Sequence, residues 1–265
     1  MKQEHELWYA RPAGNWSEAL PLGNGRLGAM VFGGASQDRL QLNEDTLYSG
    51  KPVDRINPAA LGELPRVRRL LAEDRVEEAE LLAQDALSAM PRYNGAYQPL
   101  CDLYIRTPEV KVEQGSYRRS LDLSEGVAHT RYAAGGVNYA RTYFASLAHG
   151  VLAVRLRADA PGALAFAANL MRRPFDPGSF VSEAGDIVMA GEASPGGVAY
   201  ACAVRVCCAQ GTQTAFGDAI RVRGAQEAWI FVAAATTYRH EDPVRACEKA
   251  LDALKPFSFD HLLEA

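Results

Sequence analysis

The chain has 265 residues, a formal net charge of −4 and a hydrophobic fraction of 48%. This length allows one large β-rich domain or two small ones with a buried core, and the slight negative charge argues against a nucleic-acid partner. No run approaches the roughly 18 apolar residues of a membrane-spanning helix and the N-terminus lacks a signal-peptide core, so we expect a cytoplasmic protein with no membrane partner.

The first motif along the chain is a glycine pattern in the stretch 20-LPLGNGRLGAM-30. Gly23, Gly25 and Gly28 have the spacing of a dinucleotide-binding loop, which requires a buried strand before it and a helix after it. Here a polar segment broken by a proline precedes the glycines, and a β-branched and aromatic run follows them. The pair Asn24-Gly25 therefore predicts a tight turn between two strands. A nucleotide-dependent enzyme is kept only as a third hypothesis, because it depends on this pattern alone.

Residues 57–90 change to a helical period. Asn57-Pro58 is typical of a helix start, and Asp74 followed by Glu77 has the form of a capping box that opens a second helix. The apolar positions are Leu61, Leu64, Val67, Leu70 and Leu71 in the first helix and Val76, Ala79, Leu82, Ala83, Ala86 and Leu87 in the second. We predict an inserted helical hairpin whose apolar sides lie on a β-sandwich.

Strand-like segments occupy most of the remaining chain. They are 27–34, 39–45, 97–105, 127–146, 151–158, 164–171, 199–208 and 229–238. In 151–158 apolar residues alternate with Arg155 and Arg157, which predicts a half-buried antiparallel strand, whereas 229–235 is apolar on both faces and is typical of the middle of a layered structure. Many strands with short turns predict a mainly β fold for residues 1–240, a large two-sheet antiparallel β-sandwich, or supersandwich.

The last 25 residues return to a helical pattern. Asp242-Pro243 predicts a helix start, with apolar positions at Val244, Cys247, Leu251 and Leu254, and Pro256 predicts its end. Ser258 has the position of an N-cap for another short helix. A helix of about two turns is marginal by itself. We therefore interpret 241–265 as the start of a helical linker and the chain as a piece of a longer protein.

Cysteine and histidine spacing favours no metal or disulfide framework. The five cysteines, an odd number, are Cys101, Cys202, Cys207, Cys208 and Cys247, and their apolar surroundings are typical of reduced, buried thiols. Cys207 and Cys208 are neighbours in a strand-like run, so we expect their side chains on opposite faces. The five histidines lack the pair spacing of metal ligands. We predict no metal and no cofactor.

The residues best suited to chemistry lie in 43-NEDTLYSG-50, directly after an apolar strand. Glycosidases need two carboxylates on opposite sides of the scissile bond. Glu44 and Asp45 are adjacent, so strand alternation should send them to opposite faces of the sheet. We therefore predict no catalytic residue in this chain. The alternative is structural: Asn43 or Asp45 caps a turn.

Four separated motifs together are similar to those of a known family. The succession 19-ALPLGNGRLGAMVFGG-34, 42-LNEDTLYSG-50, 97-YQPLCDLYI-105 and 139-YARTYFAS-146 resembles the N-terminal domain of glycoside hydrolase family 95, the inverting α-L-fucosidases and their α-L-galactosidase relatives. The resemblance runs from about Leu7 to the C-terminus. The family usually has Trp at the position of Tyr48 and Gly at that of Cys101.

This resemblance implies a β-supersandwich joined by a helical linker to an (α/α)6 barrel that carries the catalytic acid and the activated water. It implies a non-catalytic domain of an inverting exo-glycoside hydrolase without a cofactor, with its own catalytic barrel and terminal fucosyl-type glycans as partners. We expect Asn43, Glu44, Asp45, Thr46 and Tyr48 to face the barrel and shape the substrate pocket. The alternative hypothesis is a free-standing carbohydrate-binding β-sandwich.

Overall fold

The computed structural model describes residues 5–50, 53–93, 95–255 and 258–264, in which one pair of α-helices lies between two runs of strands and a second pair follows the last strand. The strands are β1 (Glu6–Tyr9), β2 (Leu20–Gly23), β3 (Leu27–Val31), β4 (Gln37–Glu44), β5 (Cys101–Arg106), β6 (Arg118–Asp122), β7 (Val127–Ala134), β8 (Val137–Ser146), β9 (Val151–Ala158), β10 (Leu164–Met171), β11 (Phe180–Val181), β12 (Ile187–Glu192), β13 (Ala199–Cys208), β14 (Thr212–Phe216), β15 (Ala219–Ala225) and β16 (Glu227–Thr236). The α-helices are α1 (Ala60–Ala72), α2 (Val76–Ala86), α3 (Pro243–Asp252) and α4 (Phe259–Glu264).

The strands form two sheets. One has nine strands in the order β1-β6-β7-β8-β9-β16-β13-β12-β11, and the other has seven in the order β14-β15-β10-β5-β4-β3-β2. Neighbouring strands pair antiparallel, as in β13 with β16 and β8 with β9. The main hydrophobic core contains buried residues from both sheets, including Leu40, Leu103, Val154 and Ile230. The predicted two-sheet antiparallel β-sandwich is confirmed.

The central strands of the nine-stranded sheet are buried on both faces. In β16, Ile230 and Val232 belong to the sandwich core, whereas Phe231 and Ala233 belong to a second core beneath α3 and α4. The prediction that this strand lies inside a layered structure is confirmed. The alternation in 151–158 predicts a half-buried strand, but Val151, in the first half of β9, packs into the second core, because the C-terminal helices cover that part of the sheet.

The two adjacent cysteines show the same division between faces. Cys207 packs against the second core and Cys208 against the sandwich core, so the expectation of opposite faces is confirmed. All five cysteines are free thiols.

The glycine pattern lies on a hairpin between β2 and β3. The Asn24 side-chain oxygen accepts hydrogen bonds from the backbone N–H groups of Arg26 at 3.1 Å and Leu27 at 2.9 Å, and Gly25 has a φ of +84°. Such a φ favours glycine because a Cβ would be strained there. Strand β3, and not a helix, follows the glycines. The predicted tight turn is confirmed, and the dinucleotide-loop interpretation is wrong.

Helices α1 and α2 form the predicted helical hairpin between β4 and β5, with three differences. Their buried residues, including Val67, Leu70 and Ala79, form a cluster of their own, separate from the sandwich core. The capping box is wrong, because Asp74 has a φ of +61° and ends the turn after α1, while the N-cap position of α2 is Arg75. Helix α1 begins at Ala60, and the Asn57 side chain caps the turn before it by accepting from the Ala59 N–H at 3.0 Å. The two helices therefore pack on each other through part of the predicted apolar positions, whereas Leu61, Leu71 and Val76 are exposed.

The C-terminal helices begin where the sequence predicts. The Asp242 carboxylate accepts from the Arg245 N–H at 3.0 Å, and the Ser258 hydroxyl accepts from the His261 N–H at 3.2 Å. Cys247 and Phe259 are buried against the outer face of the nine-stranded sheet. Pro256, the predicted end of the first helix, lies outside the described residues. That 241–265 begins a linker to another domain stays a prediction. Among the described residues, no helix has the length and apolar composition to cross a membrane.

Candidate functional site

A cleft of about 470 Å³ opens at one end of the sandwich, where the two sheets meet. The turn after β4 supplies one wall and the segment after β16 supplies the other. Its lining includes Asp45, Thr46, Tyr48, Arg55, Tyr238 and Arg239. Because β4 and β16 belong to different sheets, the shape of this cleft depends on how the sheets pack together.

Arg239 joins the two walls. Its guanidinium binds the Asp45 carboxylate through two nitrogens, at 2.6 and 2.7 Å, and one of these nitrogens also lies 3.2 Å from Oε1 of Glu44. A bidentate contact of this kind fixes the geometry as well as the charge of the pair. The expectation that Glu44 and Asp45 diverge is therefore wrong. Strand β4 ends at Glu44, so the alternation of a strand no longer applies to Asp45, which lies in the turn.

Glu44 is the residue that caps this turn. It is 4% exposed, and its Oε2 accepts hydrogen bonds from the Thr46 backbone N–H at 2.7 Å and hydroxyl at 2.6 Å. The Thr46 hydroxyl also hydrogen-bonds the hydroxyl of Thr236 in β16. The structural alternative is thus correct about a capped turn, although the cap comes from Glu44 and not from Asn43 or Asp45.

The two carboxyl groups are electrostatically unequal. Burial raises the pKa of Glu44 above its ordinary value, against the opposing effect of the hydrogen bonds from Thr46. The hydrogen bonds from Arg239 lower the pKa of Asp45. Both carboxylates contact the same guanidinium nitrogen, so they lie on one side of the cleft. Asp45, which lines the cleft, can accept hydrogen bonds from hydroxyl groups, but the two carboxylates cannot act from opposite sides of a glycosidic bond.

Tyrosine rings give the cleft an apolar rim. The rings of Tyr48 and Tyr97 lie 5.2 Å apart between centroids and are tilted by 57°, and the Tyr97 hydroxyl donates to the backbone oxygen of Glu44 at 3.0 Å. On the other wall Tyr238 is 58% exposed. Exposed aromatic faces beside charged hydrogen-bonding groups are suited to sugar rings, which have apolar C–H faces and polar edges.

The turn that carries Tyr48 is held on two sides. Ser49 donates its N–H to the oxygen of Ala96 at 2.9 Å, and its hydroxyl accepts from the N–H of Ala96 at 2.7 Å. Ser194 donates its hydroxyl to the backbone oxygen of Ser49. A Cβ added at Gly95 would lie 2.3 Å from the backbone nitrogen of Gly50, so only glycine allows this close approach. The cleft wall is therefore a preformed surface.

The family model for "Glycosyl hydrolase family 65, N-terminal domain" matches residues 7–241. The chain belongs to this family. This membership agrees with the resemblance to a glycoside hydrolase N-terminal domain that its motifs showed.

Curated relatives of this glycosyl hydrolase N-terminal domain carry fucosidase names. "Alpha-L-fucosidase 2" of Arabidopsis thaliana is 35% identical over 192 residues, which are 72% of this chain and 22% of the relative. "Probable alpha-fucosidase A" of Aspergillus niger is 34% identical over 164 residues, 58% of this chain and 20% of the relative. The matches span about a fifth of the length of these relatives.

A solved structure shares the fold of the glycosyl hydrolase N-terminal domain. It is the "Putative kojibiose phosphorylase from human microbiome", with a TM-score of 0.53 and 10% sequence identity, over 99% of this chain and 37% of that chain. At this identity the likeness concerns the fold alone.

The structure of this glycosyl hydrolase N-terminal domain brings only part of the predicted site together. Asp45, Thr46 and Tyr48 line the cleft, and Glu44 lies behind them. Asn43 pairs with Gly28 within the sheet and is not part of the cleft lining. Sequence reasoning missed the opposite wall, Tyr238 and Arg239. A signal existed, because the polar run 238-YRHED-242 follows the end of β16 at Thr236, much as Asp45 and Thr46 follow the end of β4 at Glu44.

Proposed function

We propose that this domain belongs to an inverting exo-glycoside hydrolase of family 95 that removes terminal α-L-fucosyl residues, and that the domain itself supplies no catalytic residue. We further propose that the cleft faces the protein's own catalytic barrel and forms one side of the substrate pocket. Two curated relatives above 30% identity that carry fucosidase names support the substrate. The reaction requires no cofactor. A cytoplasmic location stays a prediction from the sequence.

One observation carries the proposed role of the cleft: the contact of Arg239 with both Glu44 and Asp45 beside exposed tyrosine rings. A guanidinium donates to sugar oxygens, carboxylates accept from sugar hydroxyls, and a tyrosine face covers C–H groups. The bidentate contact holds these groups in place before any ligand arrives, which lowers the entropic cost of binding.

The same geometry supports the proposal that the domain supplies no catalytic residue. Inversion requires a general acid and a base about 6.5–9.5 Å apart on opposite faces of the sugar. Glu44 and Asp45 instead converge on one guanidinium nitrogen. The 265-residue chain is therefore expected to give no turnover of an aryl α-L-fucoside. Turnover that disappears in Glu44→Ala or Asp45→Ala would show that the chain is itself an enzyme.

Substitution in the complete protein tests the pocket. Asp45→Ala is expected to lower kcat/KM for the aryl α-L-fucoside by about tenfold or more, which is about 1.4 kcal/mol of transition-state stabilisation, with little change in Tm. Glu44→Ala should lower kcat/KM similarly, but it should also lower Tm because it removes the cap on Thr46. Asp218→Ala, at an exposed turn between β14 and β15, is the matched control.

Two results would contradict parts of the proposed function. If both variants lower Tm while the folded protein keeps its kcat/KM, the cleft is scaffold and contributes nothing to the pocket. If the complete protein hydrolyses other glycosides but no α-L-fucoside, the assignment to family 95 fails while the glycoside hydrolase domain assignment stands.

A further inference from the structure

A second groove, of about 510 Å³, lies at the opposite end of β16 from Arg239. It opens at the end of the β8–β9 pairing where Tyr139 lies opposite Ala158, between the tip of the β7–β8 hairpin and the segment before β16. Its lining includes Arg131, Asn138, Tyr139, Arg157, Asp159 and Gln226. The cleft described above and this groove share no lining residue.

Tyr139 is the outermost member of a stack that begins in the core. Fully buried Asp38 lies 3.2 Å from the Arg141 guanidinium, which lies 5.8 Å from the centroid of the Tyr132 ring. The Tyr132 ring in turn stacks on Tyr139, with 5.2 Å between centroids and 19° between planes. Tyr132 is 3% exposed, whereas Tyr139 is half-buried and lines the groove. The groove therefore presents a tyrosine ring that is held in place from behind.

The polar groups of the groove are also fixed. Asn138 donates to Asp159 through its backbone N–H at 2.9 Å and its side-chain nitrogen at 2.6 Å, and these hydrogen bonds lower the pKa of Asp159. Nε of Arg157 lies 3.1 Å from Glu227. The Arg131 side chain is exposed at the groove wall. The result is a set of oriented donors and acceptors with nearly balanced charge.

A neighbouring groove of about 330 Å³ continues this surface. It shares Arg157 and Gln226 with the first groove and adds Gln210 and Trp229. The Trp229 ring is half-buried, and its Nε1–H donates to Glu227 at 2.8 Å. The continuous surface thus carries one aromatic ring in each part, with amide and charged groups between them.

We infer that this surface binds a neutral oligosaccharide at a site separate from the substrate cleft. Aromatic rings cover the apolar faces of sugars, and amides, carboxylates and guanidinium groups bind their hydroxyls. The carboxylates of Asp159 and Glu227 balance the guanidinium groups of Arg131 and Arg157 in the lining, so this surface does not concentrate positive charge for a polyanion. Charged and amide groups share the lining with the aromatic rings, which favours a sugar over the purely apolar anchor of a protein partner. The inference is independent of the fucosidase proposal.

The test uses the 265-residue chain and two neutral probes without fucose, cellohexaose and maltohexaose. Calorimetric titration is expected to give saturable binding of at least one probe, with a Kd of about 1 mM or tighter. Tyr139→Ala should weaken that binding about tenfold or more, and Arg131→Ala about threefold or more, because each removes a direct contact. Arg131 is exposed, so its variant tests the groove without disturbing the core. Arg239→Ala, in the other cleft, should leave the Kd unchanged.

Three results would overturn the inference. They are no saturable binding of any probe, an unchanged Kd in folded Arg131→Ala, and a Kd that responds to Arg239→Ala but not to the groove variants. Binding of a protein instead of a sugar at this surface would also reject it. Fucoside turnover by the complete protein is measured separately, so failure of one proposal does not imply failure of the other.

Discussion

Replacing Asp38 by asparagine should destabilise the whole sandwich. Asp38 is fully buried at the start of β4, and its Oδ1 accepts hydrogen bonds from the N–H groups of Gly33 at 2.8 Å and Gly34 at 3.1 Å. Its Oδ2 accepts from the Tyr143 hydroxyl at 2.5 Å and lies 3.2 Å from the Arg141 guanidinium. Burial and the Asp38 carboxylate raise the pKa of Tyr143, which therefore keeps its proton and remains a donor.

Asparagine keeps the shape of Asp38 but removes its charge. The Arg141 guanidinium would then be buried without a counter-charge, and loss of one partner from a buried ion pair costs about 3–5 kcal/mol. Arg141 retains hydrogen bonds to the carbonyl oxygens of Gly34 at 2.5 Å and Ala35 at 2.7 Å, which favours the lower end of that range. We expect a loss of about 3 kcal/mol in unfolding free energy, equivalent to a Tm decrease of about 6–12 °C.

Urea unfolding and calorimetry of the 265-residue chain measure both quantities. Asp218→Asn, at an exposed turn, changes the same functional group and should stay within about 0.5 kcal/mol of the unsubstituted chain. A loss below about 1 kcal/mol for Asp38→Asn would refute the argument, because it would show that the Arg141 charge does not need this partner.

Three further predictions concern the pH dependence of stability and the local stability of the helical hairpin. The Arg239 hydrogen bonds lower the pKa of Asp45 from its ordinary 3.8, so the native chain loses stability as pH falls through this region, and Asp45→Asn should flatten the acid side of the stability curve. Burial raises the pKa of Glu44 from its ordinary 4.5, so the stability contributed by its protonated form is lost as pH rises above that value. Glu44→Gln should therefore remove this opposite slope. Urea midpoints measured between about pH 3 and 7 test the sign of both effects. Leu70→Ala should increase proteolysis within 56–90 and leave the main unfolding transition in place, because Leu70 belongs to the separate helical cluster. Leu103→Ala, in the sandwich core, should lower the unfolding free energy of the main transition by about 2–5 kcal/mol. If both variants lowered the main transition equally, the hairpin would not be a separate unit.

Periodicity was sufficient to predict the central strands. The ranges 151–158, 164–171 and 199–208 coincide with β9, β10 and β13, because strands buried on one or both faces carry their apolar pattern within a few residues. The Asn24 turn and the Asp242 cap were also predictable, since each depends on hydrogen bonds spanning three residues. The Asp74 capping box failed because the tertiary path of the chain after α1 requires a positive φ at that residue.

The site was less predictable, because its defining contact is long-range. Arg239 reaches Asp45 across 194 positions in the sequence, and no local pattern specifies which arginine meets which carboxylate. Alternation placed Glu44 and Asp45 on opposite faces, but the rule does not hold beyond the end of a strand. The independent packing of the helical hairpin was likewise hidden, because an apolar helical face does not reveal whether a sheet or another helix covers it.

Strand β4 makes ion pairs with residues of the opposite sheet, or of the segment that follows it, near each of its ends. Asp38 binds Arg141 and Tyr143 of β8, while Glu44 binds Arg239, which follows β16. The chain takes six residue steps from Asp38 to Glu44, which is about 20 Å at 3.3 Å per residue. Together with the hydrophobic core that the two sheets share, two polar contacts so far apart resist rotation of one sheet on the other more than a single contact would. The opening between Asp45 and Tyr238 is then set partly by a carboxylate that never touches it, and Asp38→Asn should widen or narrow the cleft in molecules that still fold.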